Sequence, residues 1–446
     1  MRNSSFTISA NIEHFLRSVR SSTATSQHVK NVAFSLSAYV AIPLLYLAAT
    51  PLLVRSLGLD LFGLWMLIDS LVGMTGPLNF GFGESTLRFV SMYRGRGETA
   101  SIVRGVRTAY SVSLLIALTA GSLMFLCAPL LANHVFKIPT QLTTIAIQSL
   151  EFGAALLALR VMESVFAGAF RGYERYDVSA VASIVTRGAI LLAAVTLVLY
   201  GLGLNEILVA SVVISLIGLA VQGEIIHRLI HASPWKPQVD RGELKRMFGF
   251  GMYAWLQSAG GMMFSQTDRL VIGAMLGTSA LAVYSVCLQL AQQIHAFVSA
   301  GFSVLFPVIS RRMETATAGS LLAEAKVLIL LNVVASLALA VPVILFSDSI
   351  LTLWMGDAFM AQGTTVLKLL ACAFFILSIN VALHYILLGA GDIKFVAFTN
   401  LVGGTMSLIA TIIFVPIAGI NAAAVARFVY GAIVSWNISR VAKVLG

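Results

Sequence analysis

The chain has 446 residues, of which 58% are hydrophobic and 11% charged, and its net charge is +10. Soluble domains carry about 25% charged residues, so this composition excludes a soluble globular protein, a disordered chain and a coiled coil. The apolar runs are continuous rather than alternating, which excludes a transmembrane β-barrel and predicts helices long enough to cross a bilayer.

In chain order, a polar, basic tail (1–31) precedes a series of apolar runs. We predict twelve membrane spans: 32–54, 61–83, 109–132, 142–168, 178–200, 206–226, 247–276, 279–306, 320–346, 363–389, 395–417 and 419–439. A basic linker (227–246) separates the sixth span from the seventh, and a short tail (440–446) follows the last. The predicted fold is therefore an all-α polytopic membrane protein.

The positions of Lys and Arg predict the orientation. With the N-terminus inside, 22 of the 29 Lys and Arg residues fall in inner segments, whereas the outer loops hold only Arg55 and Lys137. Cytoplasmic loops favour these residues. We therefore expect both the N- and C-termini to be cytoplasmic.

The two halves of the sequence resemble each other. Leu57-Gly58 matches Leu276-Gly277 at an offset of 219 residues, and Gly172 matches Gly391 at the same offset. The repeat predicts a six-helix lobe at 32–226 and another at 247–439, related by a pseudo-two-fold axis along the membrane normal. Transporters of this design bind substrate between the lobes and alternate which side is open.

Charged residues inside the predicted spans are the candidate site residues, because a charge at membrane depth needs a partner or a cavity. Arg187 lies nine residues into the fifth predicted span, about 13 Å deep at 1.5 Å per residue. Arg160 and Glu163 share one helical face, so a self-neutralising pair is as good an interpretation as a substrate contact. The full set is Asp69, Glu151, Arg160, Glu163, Arg187, Asp268, Arg269, Lys368 and Arg427.

The balance of these charges, five cations against four acids, favours an anionic substrate. Glutamines in the seventh and eighth spans, among them Gln266 and Gln289, are suited to hydrogen-bonding sugar hydroxyls. We therefore predict that Arg187, Arg160, Arg427, Arg269, Gln266 and Gln289 bind substrate. The carboxylates Glu151, Asp268 and Asp69 are the candidates for ion coupling.

Several stretches resemble a known family. Residues 266–273 (QTDRLVIG), followed by Leu276-Gly277 and by 282–285 (AVYS), are similar to a signature region of Wzx-type flippases for polysaccharide repeat units. Residues 306–311 (FPVISR) and 171–177 (RGYERYD) resemble further segments of that family. The likeness extends over nearly the whole chain.

The resemblance implies membership of the multidrug/oligosaccharidyl-lipid/polysaccharide exporter superfamily, with twelve helices in two lobes. It implies a multi-pass protein of the bacterial plasma (inner) membrane that moves undecaprenyl-pyrophosphate-linked units of O-antigen or exopolysaccharide to the outer leaflet. The implied partners are the lipid-linked oligosaccharide, membrane lipids and the polysaccharide polymerase machinery. Arg187, Arg160 and Arg427 would then match the cationic cavity of the family.

Other functions remain open. A drug/cation antiporter of the same superfamily should have an excess of acids in its lumen, and the peptidoglycan lipid flippase typically has more than twelve spans. A membrane polysaccharide polymerase should have a large polar outer loop. We expect a non-enzyme without nucleic acid, cofactor or metal, because the sequence has no GxxxxGK[ST] motif and only three scattered cysteines, Cys127, Cys287 and Cys372.

Overall fold

The computed structural model describes residues 26–302, 309 and 318–445. These residues are overwhelmingly helical, and no strand occurs among them. Most of the predicted tail 1–31, most of the family-like stretch 306–311 and the end of the predicted span 279–306 lie outside the described residues.

The helices follow one another with short connections. The first half contains α1 (Ser26–Gly73), α2 (Thr75–Leu78), α3 (Phe82–Gly95), α4 (Thr99–Leu130), α5 (Thr143–Gly172), α6 (Tyr176–Leu199) and α7 (Leu204–Ile230). The second half contains α8 (Arg241–Ser265), α9 (Thr267–Met275), α10 (Thr278–Phe302), α11 (Ala318–Leu345), α12 (Ser347–Met355), α13 (Asp357–Ser378), α14 (Val381–Gly389), α15 (Ile393–Val434) and α16 (Asn437–Leu445).

Within the described ranges, nine helical segments are long and apolar enough to cross a membrane. Two of these segments each cover two predicted spans, because α1 and α15 continue through a non-helical residue. Gly58 has φ 79° and Gly419 has φ 64°, a left-handed conformation that glycine adopts without steric cost. A turn at a glycine, joined at the second place by the non-helical Ala418, replaces the expected loop. The count of twelve spans stays a prediction.

Two predicted spans are interrupted in the structure. The span expected at 61–83 ends at Gly73, and the helix resumes as α3 after a turn at Phe80 and Gly81, which both have positive φ. The span expected at 247–276 is divided at Gln266 into α8 and α9, and it is not among the nine apolar segments. Turn-forming or polar residues lie at both breaks, in 75–81 (TGPLNFG) and 265–269 (SQTDR), but the apolar residues on either side led to the prediction of single spans.

The two halves pack along α1 and α10. An added Cβ at Gly63 of α1 would overlap the carbonyl oxygen of Thr278, so the two backbones are in direct contact at this point. One apolar core includes Leu53 and Leu64 from the first half together with Tyr284 and Leu288 from the second. The halves are therefore joined by a close-packed seam in this structure.

The linker between the halves is fastened to the first half. The indole of Trp235 packs edge-on against Tyr110 and Phe166, at a centroid separation of 5.4 Å from each. An added Cβ at Gly223 would overlap that indole, so the absence of a side chain creates its niche. Arg107 Nε donates to the carbonyl oxygen of Ser233 at 2.9 Å.

Candidate functional site

Five polar residues from three helices of the first half lie near one another at membrane depth. Arg187 of α6 interacts electrostatically with Arg160, Tyr46, Glu163 and Asp69, and Tyr46 in turn interacts with Asp69, Arg160 and Arg187. We call Tyr46, Asp69, Arg160, Glu163 and Arg187 the seam cluster. Helix α1 and the consecutive helices α5 and α6 thus bring their charged side chains into one region.

Arg187 occupies the middle of the 24-residue helix α6 (Tyr176–Leu199). It is solvent-accessible, and its guanidinium has no ion pair or hydrogen bond to any described residue. A guanidinium carries five N–H donors in a planar fork that fits a phosphate group. Within the described part of the chain, Arg187 therefore has no counter-charge in direct contact, and its N–H donors are available to an anion.

Arg160 and Glu163 form the pair that their spacing on α5 indicated. Arg160 Nη1 lies 3.7 Å from Glu163 Oε2, and both side chains remain partly exposed. Gln222 of α7 also donates to Glu163, at 3.1 Å. Glu163 is thus held by two neighbours, and it neutralises one of the two cations that the first half contributes to the cluster.

Asp69 connects the seam cluster to the second half. Its Oδ2 lies 3.8 Å from Nη1 of Arg269 on α9, while 58% of the Asp69 side chain remains exposed. Arg269 is buried, and its Nε has no hydrogen-bond partner among the described residues. The carboxylate faces an accessible space between the halves, and Arg269 brings a third guanidinium to it.

Arg427 and Asp268 form a buried pair within the second half. Arg427 Nη2 and Nε donate to Asp268 Oδ2 at 2.7 and 2.9 Å, and the Tyr284 hydroxyl donates to the same oxygen. The guanidinium carbon also lies 4.4 Å from the centre of the Phe264 ring. Unlike Arg187, Arg427 is engaged by its own protein, and Asp268 is fully occupied.

The other predicted site residues have separate places. Gln289 accepts a hydrogen bond from Thr50 of α1 at 2.9 Å, so it joins the two halves. Gln266 packs against Gly73, and its buried Oε1 has no hydrogen-bond partner among the residues that the structure describes. Glu151 is partly buried on α5, with no ion pair or hydrogen bond to any described residue. The structure thus brings Arg187, Arg160, Arg269 and Asp69 together but not Arg427, Asp268, Gln289 or Glu151.

Three residues that interact with the charged groups described above were not predicted from the sequence. Tyr46, Gln222 and Tyr284 are uncharged, and only their position against the charged groups distinguishes them from ordinary packing residues. The sequence analysis selected charged residues and the glutamines of the seventh and eighth spans, so the two tyrosines and Gln222 of the sixth span met neither criterion. Among the described residues, no group of His, Cys, Asp or Glu could hold a metal ion.

Hydrogen bonds between the two halves lie on either side of the seam cluster. At one end Asp60 accepts hydrogen bonds from Thr278 at 2.8 Å and Ser279 at 2.5 Å. Asp69 follows Asp60 by nine residues, or about 13.5 Å along the helix. At the other end the Tyr93 hydroxyl donates to Glu243 of α8 at 2.6 Å. The charged region therefore lies between two sets of contacts that join the halves.

Comparisons with solved structures identify the fold. The chain is similar to an inward-facing multidrug resistance MATE family transporter of the MOP superfamily, with a TM-score of 0.72 and 16% sequence identity. The likeness covers 92% of this chain and 98% of that transporter. It extends over both halves, so the architecture is that of this superfamily.

Curated relatives point to polysaccharide biosynthesis. The chain is 23% identical to the uncharacterized membrane protein EpsK of Bacillus subtilis (strain 168) over 74% of its length, a match that spans only 65% of EpsK. It is 19% identical to a putative O-antigen transporter of Shigella flexneri, over 78% of this chain and 81% of that protein.

The family model for polysaccharide biosynthesis proteins matches residues 28–313. That range contains the whole first half, the linker, α8, α9 and α10, and it includes the seam cluster and Arg269. It also contains the residues 171–177 and 266–285 on which the resemblance to Wzx-type flippases rested, and the resemblance is confirmed. This chain belongs to the polysaccharide biosynthesis protein family, as a multi-pass membrane protein with the fold of the MOP superfamily.

Proposed function

We propose that this protein moves undecaprenyl-pyrophosphate-linked oligosaccharides from the inner to the outer leaflet of the bacterial plasma membrane by alternating access. The observation that carries the proposal is Arg187, an accessible guanidinium in the middle of a membrane helix with no described ion-pair partner. Such a charge is costly at membrane depth unless it faces water or an anion.

The composition of the seam cluster supports an anionic ligand. Arg160, Arg187 and Arg269 bring three positive charges, whereas Asp69 and Glu163 bring two negative ones. The remaining positive charge is suited to a pyrophosphate, whose sugars would occupy the polar seam while the polyprenyl tail stays in lipid. A drug/cation antiporter would be better served by an excess of carboxylates, so this rival is less consistent with the cluster.

We further infer that the fold comprises twelve spans in two six-helix lobes, 32–226 and 247–439, with cytoplasmic termini. Gly58 and Gly277, which are 219 residues apart, both have positive φ, at 79° and 95°. The same backbone conformation at matching positions supports the duplication. Alternating access then requires that the contacts of Asp60 with Thr278 and Ser279 form and break during each cycle.

Asp69 is the best candidate for ion coupling among the three predicted carboxylates. It is exposed in the seam and pairs across the halves with Arg269, so a cation or proton on Asp69 would weaken that pair. Asp268 is occupied by Arg427 and Tyr284, and Glu151 lies apart from the cluster. The same site would serve both substrate and driving ion without a nucleotide.

The test is Arg187→Ala in the native bacterium, with surface polysaccharide as the readout. We expect polysaccharide to fall about tenfold or more, because a charge-assisted hydrogen bond contributes about 1.5–3 kcal/mol. Arg187→Lys should give an intermediate level, since lysine keeps the charge but loses the planar fork. Normal polysaccharide from Arg187→Ala, at an unchanged protein level, would remove the observation on which the proposal depends.

The neighbouring position supplies a matched control. An added Cβ at Gly188 would meet no atom within 4 Å, so Gly188→Ala should leave polysaccharide unchanged. A loss in both variants would show that this region of α6 tolerates no substitution.

A further inference from the structure

A cavity of about 450 Å³ is lined by residues of α8, α10, α13, α14 and α15 of the second half and by Pro43 of α1. This volume is in the range of pockets that hold small ligands, about 300–1,000 Å³. The lining combines aromatic rings such as Phe374, Tyr385 and Tyr430 with the side-chain amides of Gln292 and Asn380. The cavity is thus neither purely apolar nor strongly charged.

Polar atoms of the lining residues lack partners. Asn380 is only 2% exposed, and its Oδ1 accepts no hydrogen bond from a described residue. Within the described part of the chain, the buried Nδ1 of His295 likewise has no partner, and Gln292 makes no hydrogen bond. Buried polar groups are nearly always satisfied, so these atoms indicate a place for a ligand that can donate and accept.

The charge of the cavity favours a neutral, hydroxyl-rich ligand. Arg427 lines it, but Asp268 already neutralises this guanidinium at 2.7 Å. A lipid chain would leave Asn380 and His295 unsatisfied. A sugar ring matches both features, because its C–H faces pack against aromatic rings and its hydroxyls pair with amides, which both donate and accept.

Helix α1 connects this cavity to the seam cluster. Pro43 lines the cavity, whereas Tyr46 interacts with Arg160 and Arg187. These two residues of α1 are three positions apart, a rise of about 4.5 Å. The cavity and the seam cluster therefore meet at neighbouring positions of α1, an arrangement that suits a ligand in which phosphate and sugar are directly joined.

We propose that the cavity binds a sugar residue of the lipid-linked oligosaccharide while the seam cluster holds its pyrophosphate. This inference rests on the proposed function. It assigns recognition of the glycan to the second half and recognition of the phosphate to Arg160 and Arg187. Glycan binding and phosphate binding can therefore be altered by separate substitutions.

The experiment is native mass spectrometry of the purified full-length protein in lipid nanodiscs, with two competing probes. One is undecaprenyl pyrophosphate, and the other is the pool of undecaprenyl-pyrophosphate-linked oligosaccharides extracted from the source bacterium. We expect wild type to retain the glycosylated lipid about fivefold more, as a few additional hydrogen bonds would give.

Two variants alter the cavity in different ways. Ala296→Phe fills it without removing a hydrogen-bonding group, and Gln292→Leu removes one amide; both residues line the cavity. Each should reduce the preference for the glycosylated lipid to about equal binding of the two probes. Cys372→Ala, outside the lining, is the matched control. Arg187→Ala should weaken the binding of both probes and leave the ratio of the two bound lipids unchanged.

The outcomes separate the two proposals. If wild type binds neither probe, the proposed function fails and the sugar site fails with it. If wild type binds both probes equally, or if the preference survives in Gln292→Leu and in a folded Ala296→Phe, the sugar site is overturned while the proposed function stands. Thermal unfolding of each variant establishes whether it is folded. If Ala296→Phe does not fold, the result for Gln292→Leu alone decides whether the sugar site exists.

Discussion

At the scale of single residues, the Arg427–Asp268 pair within the second half and the Arg269–Asp69 pair between the halves differ in burial and therefore in role. Arg427 and Asp268 are 3% and 6% exposed in their side chains, whereas Asp69, the partner of Arg269, is largely accessible. Removing one member of a buried pair leaves an uncompensated charge, which costs about 3–5 kcal/mol. An accessible carboxylate can instead exchange partners at little cost. The Arg427–Asp268 pair stabilises the fold, whereas the Arg269–Asp69 pair can break and re-form during transport.

We therefore predict that Asp268→Asn lowers the melting temperature of the purified protein substantially, because the guanidinium of Arg427 loses its counter-charge in the core. Thermal unfolding in detergent measures the effect. The matched control is Asp348→Asn, since the Asp348–Lys368 pair is 55% and 40% exposed and exposed pairs contribute about 0–1 kcal/mol. Equal melting temperatures for Asp268→Asn and wild type would contradict a stabilising role of the Arg427–Asp268 pair.

The sequence predicted individual charged residues better than their partners. Arg187 was identified because a cation interrupts a long apolar run, and Arg160 with Glu163 because three-residue spacing places both on one face. Asp69 and Arg269 are 200 residues apart, and no local pattern relates them. Only the packing of α9 against α1 brings them to 3.8 Å.

At the scale of helices, the decisive contact is between α1 and α10. Gly63 is required there because the carbonyl of Thr278 occupies the position of any Cβ, and the neighbouring Asp60 accepts from Thr278 and Ser279. Helix boundaries were predicted less well where glycine is involved. The chain turns at Gly58 alone and at Ala418 together with Gly419, and such short turns leave almost no polar loop to mark them in the sequence.

Gly63→Val is predicted to separate α1 from α10 at the Asp60 end and to abolish surface polysaccharide. The separation can be measured with the cysteine pair Asp60→Cys and Ser279→Cys, which should cross-link readily under mild oxidation in an otherwise wild-type chain. In the Gly63→Val background the yield of cross-link should drop severalfold.

The control for that experiment is Gly188→Ala in the same cysteine-pair background, because the added methyl group meets open space. An undiminished cross-link in Gly63→Val would mean that the two helices accommodate the larger side chain, and that Gly63 does not set their separation.

At the scale of the whole molecule, the orientation proposed from the positions of Lys and Arg is open to a direct test. Thr352 on α12 and Lys236 in the linker are both exposed and should lie on opposite sides of the membrane. In a chain whose three cysteines are replaced by alanine, Thr352→Cys should react with an impermeant maleimide in intact cells. Lys236→Cys should react only after the membrane is opened. The reverse pattern would invert the proposed topology.

The attachment of Trp235 determines where the molecule can bend. Because the indole fills the niche above Gly223 and Arg107 holds the carbonyl of Ser233, the linker moves with the first half. Farther along, Gly251 abuts Phe80, and Gly260 abuts Leu401 of the second half. Any rocking of one half against the other must therefore be absorbed by bending of the ten residues from 251 to 260, which makes this stretch of α8 the hinge between the halves.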